Sequence, residues 1–599
     1  MSTGGPAQLE ARLLSALSPD RALAHTRWLT EHTPYRISGG GQDRTAALYV
    51  RDRLAEAGLS AELQEFYTYC SFPEAASLHV VEPALGEMAC QPCCHIAPTP
   101  EDGITAELVD AGGGSEEELA RAEVSGRIVL CEVSYAPAPP EKARLAVHAG
   151  ARGMVLMNWG LPDQTEIPMR ALKMVWGNPT PVTFGEIPQI SAVSVSRADG
   201  ERLRRLCARG RTVVQMKAAS TREWRPVVQP VGRLEGTRWP RQFLLASGHL
   251  DAWEPGVTCN ATGNGLMLEL ARVFGAFREH LGRSLVFAFW NGHEVAEAAG
   301  STWFVDRMWD EVSQNCVAYL NIDSPGLRGV EHHAAASTLE LADFHQAVER
   351  DVLGSAGPRQ PLGRIGDQSF FGVGVPALAG RSPFPASELK RTHGAVFGWW
   401  NHTAADTLDK VDEAAFSREL RVYAAYIFRL LTSPVLPFSF VGYARHLREA
   451  LAGYAAGSPA ELNLEPLAAL AGELERKAAS LEALRRSLDG EVANSGAGPG
   501  EERVDEVNRC LMRLSRVLGH ATYTVAGRYG QDSYGLSVLS RPIPGLAAAP
   551  AMASMKRGTD AAETLLTDLL RQRNRIADAL RDAVEAADRC LRAAQRGTA

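Results

Sequence analysis

The chain lacks any stretch of about 18 consecutive apolar residues, which excludes a membrane-spanning helix from the sequence pattern. It also lacks an excess of basic residues. Lys and Arg number 62 against 70 Asp and Glu, for a net charge of −8. These charges are spread along the chain, so there is no electrostatic footprint for nucleic acid. The opening residues, MSTGGPAQLEARLLSALSPD, have no basic region followed by an apolar run. No secretory signal is therefore expected, and a cytoplasmic location is. Regular cysteine spacing is missing as well. Ten cysteines without a framework pattern point to reduced thiols. Cys90, Cys93 and Cys94 form a C-x-x-C-C cluster followed by His95, and a structural zinc there is conceivable. No second C-x-x-C supplies the remaining ligands, so buried or loop thiols are the better reading.

What is present is an ordinary globular composition, 45% apolar and 22% charged. At 599 residues the chain exceeds one core and is expected to split into domains of about 100–200 residues. Residues 44–59 carry helical spacing, and 61–69 read as a strand. From about 105 to 222 the pattern is that of a small inserted βα module, with strands at 126–134 and 152–159, a helix at 141–151, and strand, turn and helix over 187–210. Residues 226–432 alternate long apolar strands (243–251, 284–290, 316–323) with helices such as 263–281. Near-continuous apolar runs mark strands covered on both faces, and the alternation implies an α/β fold. Beyond about 433 the chain turns helical. Segments 460–492, 502–525 and 560–595 have apolar residues at i, i+3, i+4 and i+7 and read as a helical bundle.

Five short motifs are placed at strand ends of the α/β part, where such sheets bind ligands. They are His249-Leu250-Asp251 with Trp253, the run Pro255–Gly263 containing Cys259, Phe289–Glu294 with His293, Asn321-Ile322-Asp323, and Asn401-His402-Thr403 with Asp406. Each alone is a weak signal. Together they offer the N, O and S donors that zinc takes. Asp251 stands close enough in sequence to orient the His249 imidazole.

The order H-x-D-x-W, P-G…G, F-W-x-G-x-E…G-S, N-x-D and H-T…D-T resembles the co-catalytic zinc aminopeptidase superfamily, which includes glutamate carboxypeptidase, the transferrin receptor and glutaminyl cyclase. The resemblance implies a mixed, mostly parallel sheet with helices on both faces over residues 1–75 and 223–432. It implies a protease-associated insert at 76–222 and a helical, dimerising domain at 433–599. His249 and Asp323 would hold one metal, Glu294 and His402 the other. Gly366–Phe370 resembles the loop lining the substrate pocket, so Asp367 and Ser369 are expected to touch substrate. Arg381 stands where the carboxypeptidase branch binds a substrate carboxylate.

Two positions depart from that pattern. The family places a metal-bridging aspartate where this chain has Cys259, and a glutamate general base where it has His293. A thiolate is a good zinc ligand, and a histidine near pKa ~6.5 can carry a proton at neutral pH. The expectation is a metal-dependent amidohydrolase that uses metal-activated water on a small peptide, N-acyl or amide substrate. One or two divalent ions, zinc by preference, are held with Cys259 as a further ligand. The alternatives are a non-catalytic binding protein of the transferrin-receptor kind and a metal-dependent lyase or cyclase.

Overall fold

The computed structural model describes residues 5–361, 368–495 and 501–596. Two eight-stranded sheets organise the first 430 residues or so. The larger runs in the order Ser60–Cys70, Glu223–Leu234, Arg283–Trp290, Trp239–His249, Cys316–Asn321, Ala377–Arg381, Ala334–Ser337 and Gln360–Pro361. Its centre is parallel: Trp239–His249 lies between Arg283–Trp290 and Cys316–Asn321, with Ala377–Arg381 beyond. The first two strands pair antiparallel, as a long ribbon at one edge. This is the mixed, mostly parallel sheet that the resemblance implies.

The central strands are apolar because both faces are covered. Every residue of Arg283–Trp290 and of Cys316–Asn321 is buried. The helix Thr262–Ala276 is buried along nearly its whole length and packs against Pro19–His32. Ser18 caps that N-terminal helix and donates its own N–H to the buried carboxylate of Glu269 at 2.7 Å. Glu413–Thr432 closes the fold, burying Phe416, Leu420, Tyr423, Ile427 and Leu431 at helical spacing.

The second sheet is built from residues 73–220 and carries the helices Pro139–His148 and Arg197–Arg209. Cys93 and Cys94 are buried in this insert, and the Cys93 sulfur lies 3.4 Å from Ser194 Oγ. The C-terminal region is a bundle of Val441–Ala455, Glu465–Ser495, Glu501–Thr522 and Asp560–Arg596. On the inner face of Glu465–Ser495, Leu467, Ala471, Leu474, Ala478, Leu481 and Leu488 are buried in succession. The fully buried Arg516 ties the bundle to the larger sheet by donating to the carbonyls of Ser313 (2.8 Å) and Gly374 (2.7 Å). Among the described residues, no helix is long and apolar enough to cross a membrane.

Candidate metal centre

Three neighbouring parallel strands end at one rim of the larger sheet, and each delivers a donor there. His249 closes Trp239–His249, His293 and Glu294 follow Arg283–Trp290, and Asp323 follows Cys316–Asn321. Close strand approach at this rim requires Gly248, since a Cβ there would lie 2.3 Å from the carbonyl oxygen of Ile322. Cys259 and His402 arrive differently, on a tight turn before the helix Thr262–Ala276 and on the connection ahead of Glu413–Thr432. The expectation that all five motifs sit at strand ends is thus corrected for these two.

The Cys259 turn is pinned from two sides. Asp406 accepts from Thr258 N (2.9 Å), Thr258 Oγ1 (2.7 Å) and Cys259 N (3.1 Å). The buried Arg36 donates to the carbonyls of Leu250, Pro255 and Gly256. Held in this way, Cys259 Sγ lies 3.2 Å from Glu294 Oε1, 3.4 Å from His402 Nε2 and 3.9 Å from His249 Nε2. His249 Nε2 is 3.4 Å from Asp323 Oδ1, and His402 Nε2 is 3.2 Å from Glu294 Oε1. The His293 ring stacks on His249 with centroids 4.2 Å apart. Two ligand-sized groups result, His249–His293–Glu294 and Cys259–Glu294–His402, with Glu294 common to both.

Asp251 does not orient His249 through its carboxylate. The Asp251 main-chain carbonyl accepts from His249 Nδ1 at 2.8 Å. Its carboxylate turns the other way, accepting from Ser38 Oγ (2.6 Å), His293 N (3.0 Å) and Glu294 N (2.9 Å). The side chain therefore shapes the loop that carries two donors. Trp253 Nε1 donates to Glu294 Oε2 at 3.0 Å, leaving Oε1 to face the cluster.

Burial opposes every charge here, and the neighbours decide which survive. At Asp323, burial is outweighed by the hydrogen bond and charge of His249, which bring its carboxyl down to about 2. At Glu294, burial is likewise outweighed by the imidazoles of His402, His249 and His293, which hold it below the ordinary range. Burial, then the carboxylates of Glu294, Asp323 and Asp406, push the Cys259 thiol well up. Without a cation the sulfur is protonated and donates to Glu294.

The donors fit a divalent ion. His249 Nδ1 donates to the Asp251 carbonyl, which leaves Nε2 facing the cluster as the atom that would bind a cation in place of its proton. Two carboxylates are held ionised, and a thiol that a cation would deprotonate stands between them.

Residues 230–427 match the model of peptidase family M28, and residues 104–203 match that of the PA domain. Residues 230–427 are thus similar to an M28 peptidase domain. The M28 match spans the rim strands and all six donors, and the PA match lies within the inserted sheet. The probable glutamate carboxypeptidase VP8 of Zea mays is 24% identical over 486 residues, covering 69% of this chain and 67% of that protein. Aminopeptidase YwaD of Bacillus subtilis (strain 168) is 24% identical over 308 residues, covering 50% of this chain and 60% of that protein. The structure of BSAP, a zinc aminopeptidase from Bacillus subtilis, superposes with a TM-score of 0.53 at 19% identity over 69% of this chain and 95% of that one. That likeness establishes the fold. Family match and fold together support metallopeptidase activity and imply a divalent metal.

A cavity of about 570 Å³ opens over the M28 donors. His249, Cys259, His293, Glu294, Asp323 and His402 all line it. Of the expected substrate contacts, Asp367 lies outside the described residues. Ser369 is fully buried behind the cavity wall, where its Oγ accepts from Trp176 Nε1 (2.9 Å) and meets Ser301 Oγ (2.8 Å). Arg381 is not part of the lining. Its guanidinium stacks on Phe397, 3.7 Å from the ring centroid. The arginine that does line the cavity is Arg170 of the insert. Glu297 lines it too, its carboxyl pushed up to about 8 by burial. Tyr534 reaches the wall from the C-terminal region, its N–H bonded to Met174 O. Arg170 and Tyr534 carry no motif signal. Glu297 alone had a cue, a carboxylate one helical turn's spacing beyond His293.

Proposed function

We propose that this protein is a metal-dependent amidohydrolase of the metallopeptidase type, which cleaves an amide bond in a small peptide or N-acyl substrate. The observation that carries this reading is the convergence of Cys259 Sγ, Glu294 Oε1, His402 Nε2 and His249 Nε2 within 3.2–3.9 Å of the sulfur. Asp323 adds a further oxygen beside His249. A divalent ion bound by these residues would polarise the scissile carbonyl and acidify a water.

His293 takes the role usually filled by a carboxylate base. It stands at the cavity wall beside the donors, with its loop fixed by Asp251. A ring nitrogen accepts the proton that water loses and returns it to the leaving amine nitrogen. Trp253 holds Glu294 so that one oxygen faces the cluster. Trp159, Trp176, Phe397 and Val396 supply an apolar wall that accommodates the non-reacting part of the substrate and limits water. Self-association through the C-terminal helices belongs to the same proposal, and sedimentation of the full chain tests it.

The enzymatic test uses purified protein, stripped with a chelator and reloaded with zinc, against a panel of dipeptides and N-acyl amino acids. Turnover that returns on reloading and is lost in His293→Ala, with metal content unchanged, supports the proposal. Retained zinc with no turnover of any amide contradicts it.

A further inference from the structure

Residues 169–177 of the insert are hydrogen-bonded to both of the loops that carry Glu294 and His402. At one end, Met169 donates its N–H to the main-chain carbonyl of His402 at 2.9 Å. At the other, Gly177 donates its N–H to the carbonyl of Glu297 at 2.6 Å. Between them, the Lys173 ammonium donates to the carbonyl of Ala296 at 2.8 Å and to that of Gly177 at 2.6 Å. The approach at the Gly177 end requires a glycine, since a Cβ there would lie 2.2 Å from Thr302 Oγ1.

The cysteine-rich run supplies a third donor. Cys94 pairs with the same segment through its main chain, donating to Arg170 O at 2.8 Å and accepting from Leu172 N at 3.1 Å. That pairing places His95, whose Nε2 donates to the carbonyl of Val295 at 2.7 Å. Burial holds this imidazole well below its ordinary pKa and so neutral, and its single ring proton is committed to that carbonyl. Val295, Ala296 and Glu297 directly follow Glu294, and each gives its carbonyl to a donor of the insert. His95 and Lys173 are both fully buried. The loops need such support. Glu297 has φ 45 and His402 has φ 60, in the left-handed region that non-glycine residues avoid. Backbone of this kind persists only where its surroundings fix it.

We propose that His95 and Lys173 are positioning residues of the metal centre, and that residues 169–177 form a strap fixing Glu294 relative to His402, whose Oε1 and Nε2 lie 3.2 Å apart. This deepens the proposed function and rests on its metal-binding reading. The insert then takes part in metal binding without contributing a ligand. It acts through three consecutive carbonyls of the M28-like loop and through the backbone of His402.

Zinc affinity tests this without turnover, by competitive chelator titration of the full-length protein. Partners that orient metal ligands from outside are worth about 10–100-fold in affinity, and Lys173→Met and His95→Leu are each expected to lose at least fivefold. His95→Gln keeps an amide N–H for the Val295 carbonyl and is expected to stay within twofold of wild type. Arg197→Met breaks the 2.7 Å buried ion pair with Glu132 elsewhere in the insert. It is expected to lower the melting temperature while leaving zinc affinity within twofold. With cobalt in place of zinc, the visible absorption band should shift in His95→Leu and not in Arg197→Met. Unchanged zinc affinity in folded His95→Leu overturns the proposal. An equal loss in Arg197→Met also overturns it, because general loosening of the insert would then be the cause. The His95 variants decide the matter even if Lys173→Met does not fold. A wild type that takes up no zinc removes the metal reading and the strap together, whereas a zinc-binding wild type matched by His95→Leu removes the strap alone.

Discussion

The sulfur of Cys259 lies 3.2 Å from Oε1 of Glu294, a thiol donating to a carboxylate at the point where the two groups of potential ligands share a member. A second carboxylate at position 259 would place another anion beside Glu294. The thiol instead stays neutral until a cation arrives, because burial and the surrounding carboxylates push it well up. The site therefore tolerates being empty, and filling it must release a proton.

That release sets a pH dependence. Metal binding deprotonates Cys259, so affinity rises with pH, by about tenfold per pH unit for each proton released. Competitive chelator titrations between pH 7 and 9 are expected to show a slope one proton steeper for wild type than for Cys259→Ser. Parallel slopes would remove the sulfur from the ligand set.

Trp253 acts on the metal through Glu294. Replacing it with Phe removes the 3.0 Å bond to Oε2 and lets the carboxylate rotate. Loss of such an outer partner costs about 10–100-fold in metal affinity. Trp253→Phe should show that loss in the same titration with its melting temperature little changed. Unaltered affinity would mean that Glu294 is held by other contacts.

Asp251→Asn tests the loop that carries His293 and Glu294. The carboxylate accepts from two successive main-chain N–H groups and from Ser38. An amide nitrogen turned toward those donors would leave at least one of them unpaired, at a cost of about 1–3 kcal/mol. Urea unfolding of the metal-free protein measures it. A change below about 0.5 kcal/mol, the level of an ordinary surface substitution, would contradict this role.

A separate pH effect belongs to His333, which is bonded to Tyr426 Oη at 3.3 Å. Burial is the main cause that takes its pKa down from 6.5 to about 4. Between those values the unfolded chain binds the proton and the folded one does not. Stability therefore falls as pH drops from about 6.5 to 4 and levels off below, by on the order of 3 kcal/mol from this group. The melting temperature of His333→Gln should vary less with pH over that window. An identical profile for both proteins would place the acid sensitivity elsewhere.

The strands bearing His249, Glu294 and Asp323 were legible because burial on both faces writes a continuous apolar run with a polar end. Cys259 and His402 were legible as residue types in an ordered series of motifs, although their supports are loops rather than strand ends. Arg170 and Tyr534 were not legible. Each sits in a stretch without periodicity and reaches the cavity only through contacts between distant parts of the chain. The direction of the Asp251 side chain was hidden for a related reason. Its main-chain carbonyl and its carboxylate face different partners, and spacing from His249 cannot tell them apart.

The most direct test of a shared ion is zinc-edge X-ray absorption on the zinc-loaded protein. One sulfur scatterer at about 2.3 Å beside nitrogen and oxygen at about 2.0–2.2 Å is the expected result, with the sulfur alone lost in Cys259→Ser. A spectrum fitted by nitrogen and oxygen only, or a protein that retains no zinc, would contradict it.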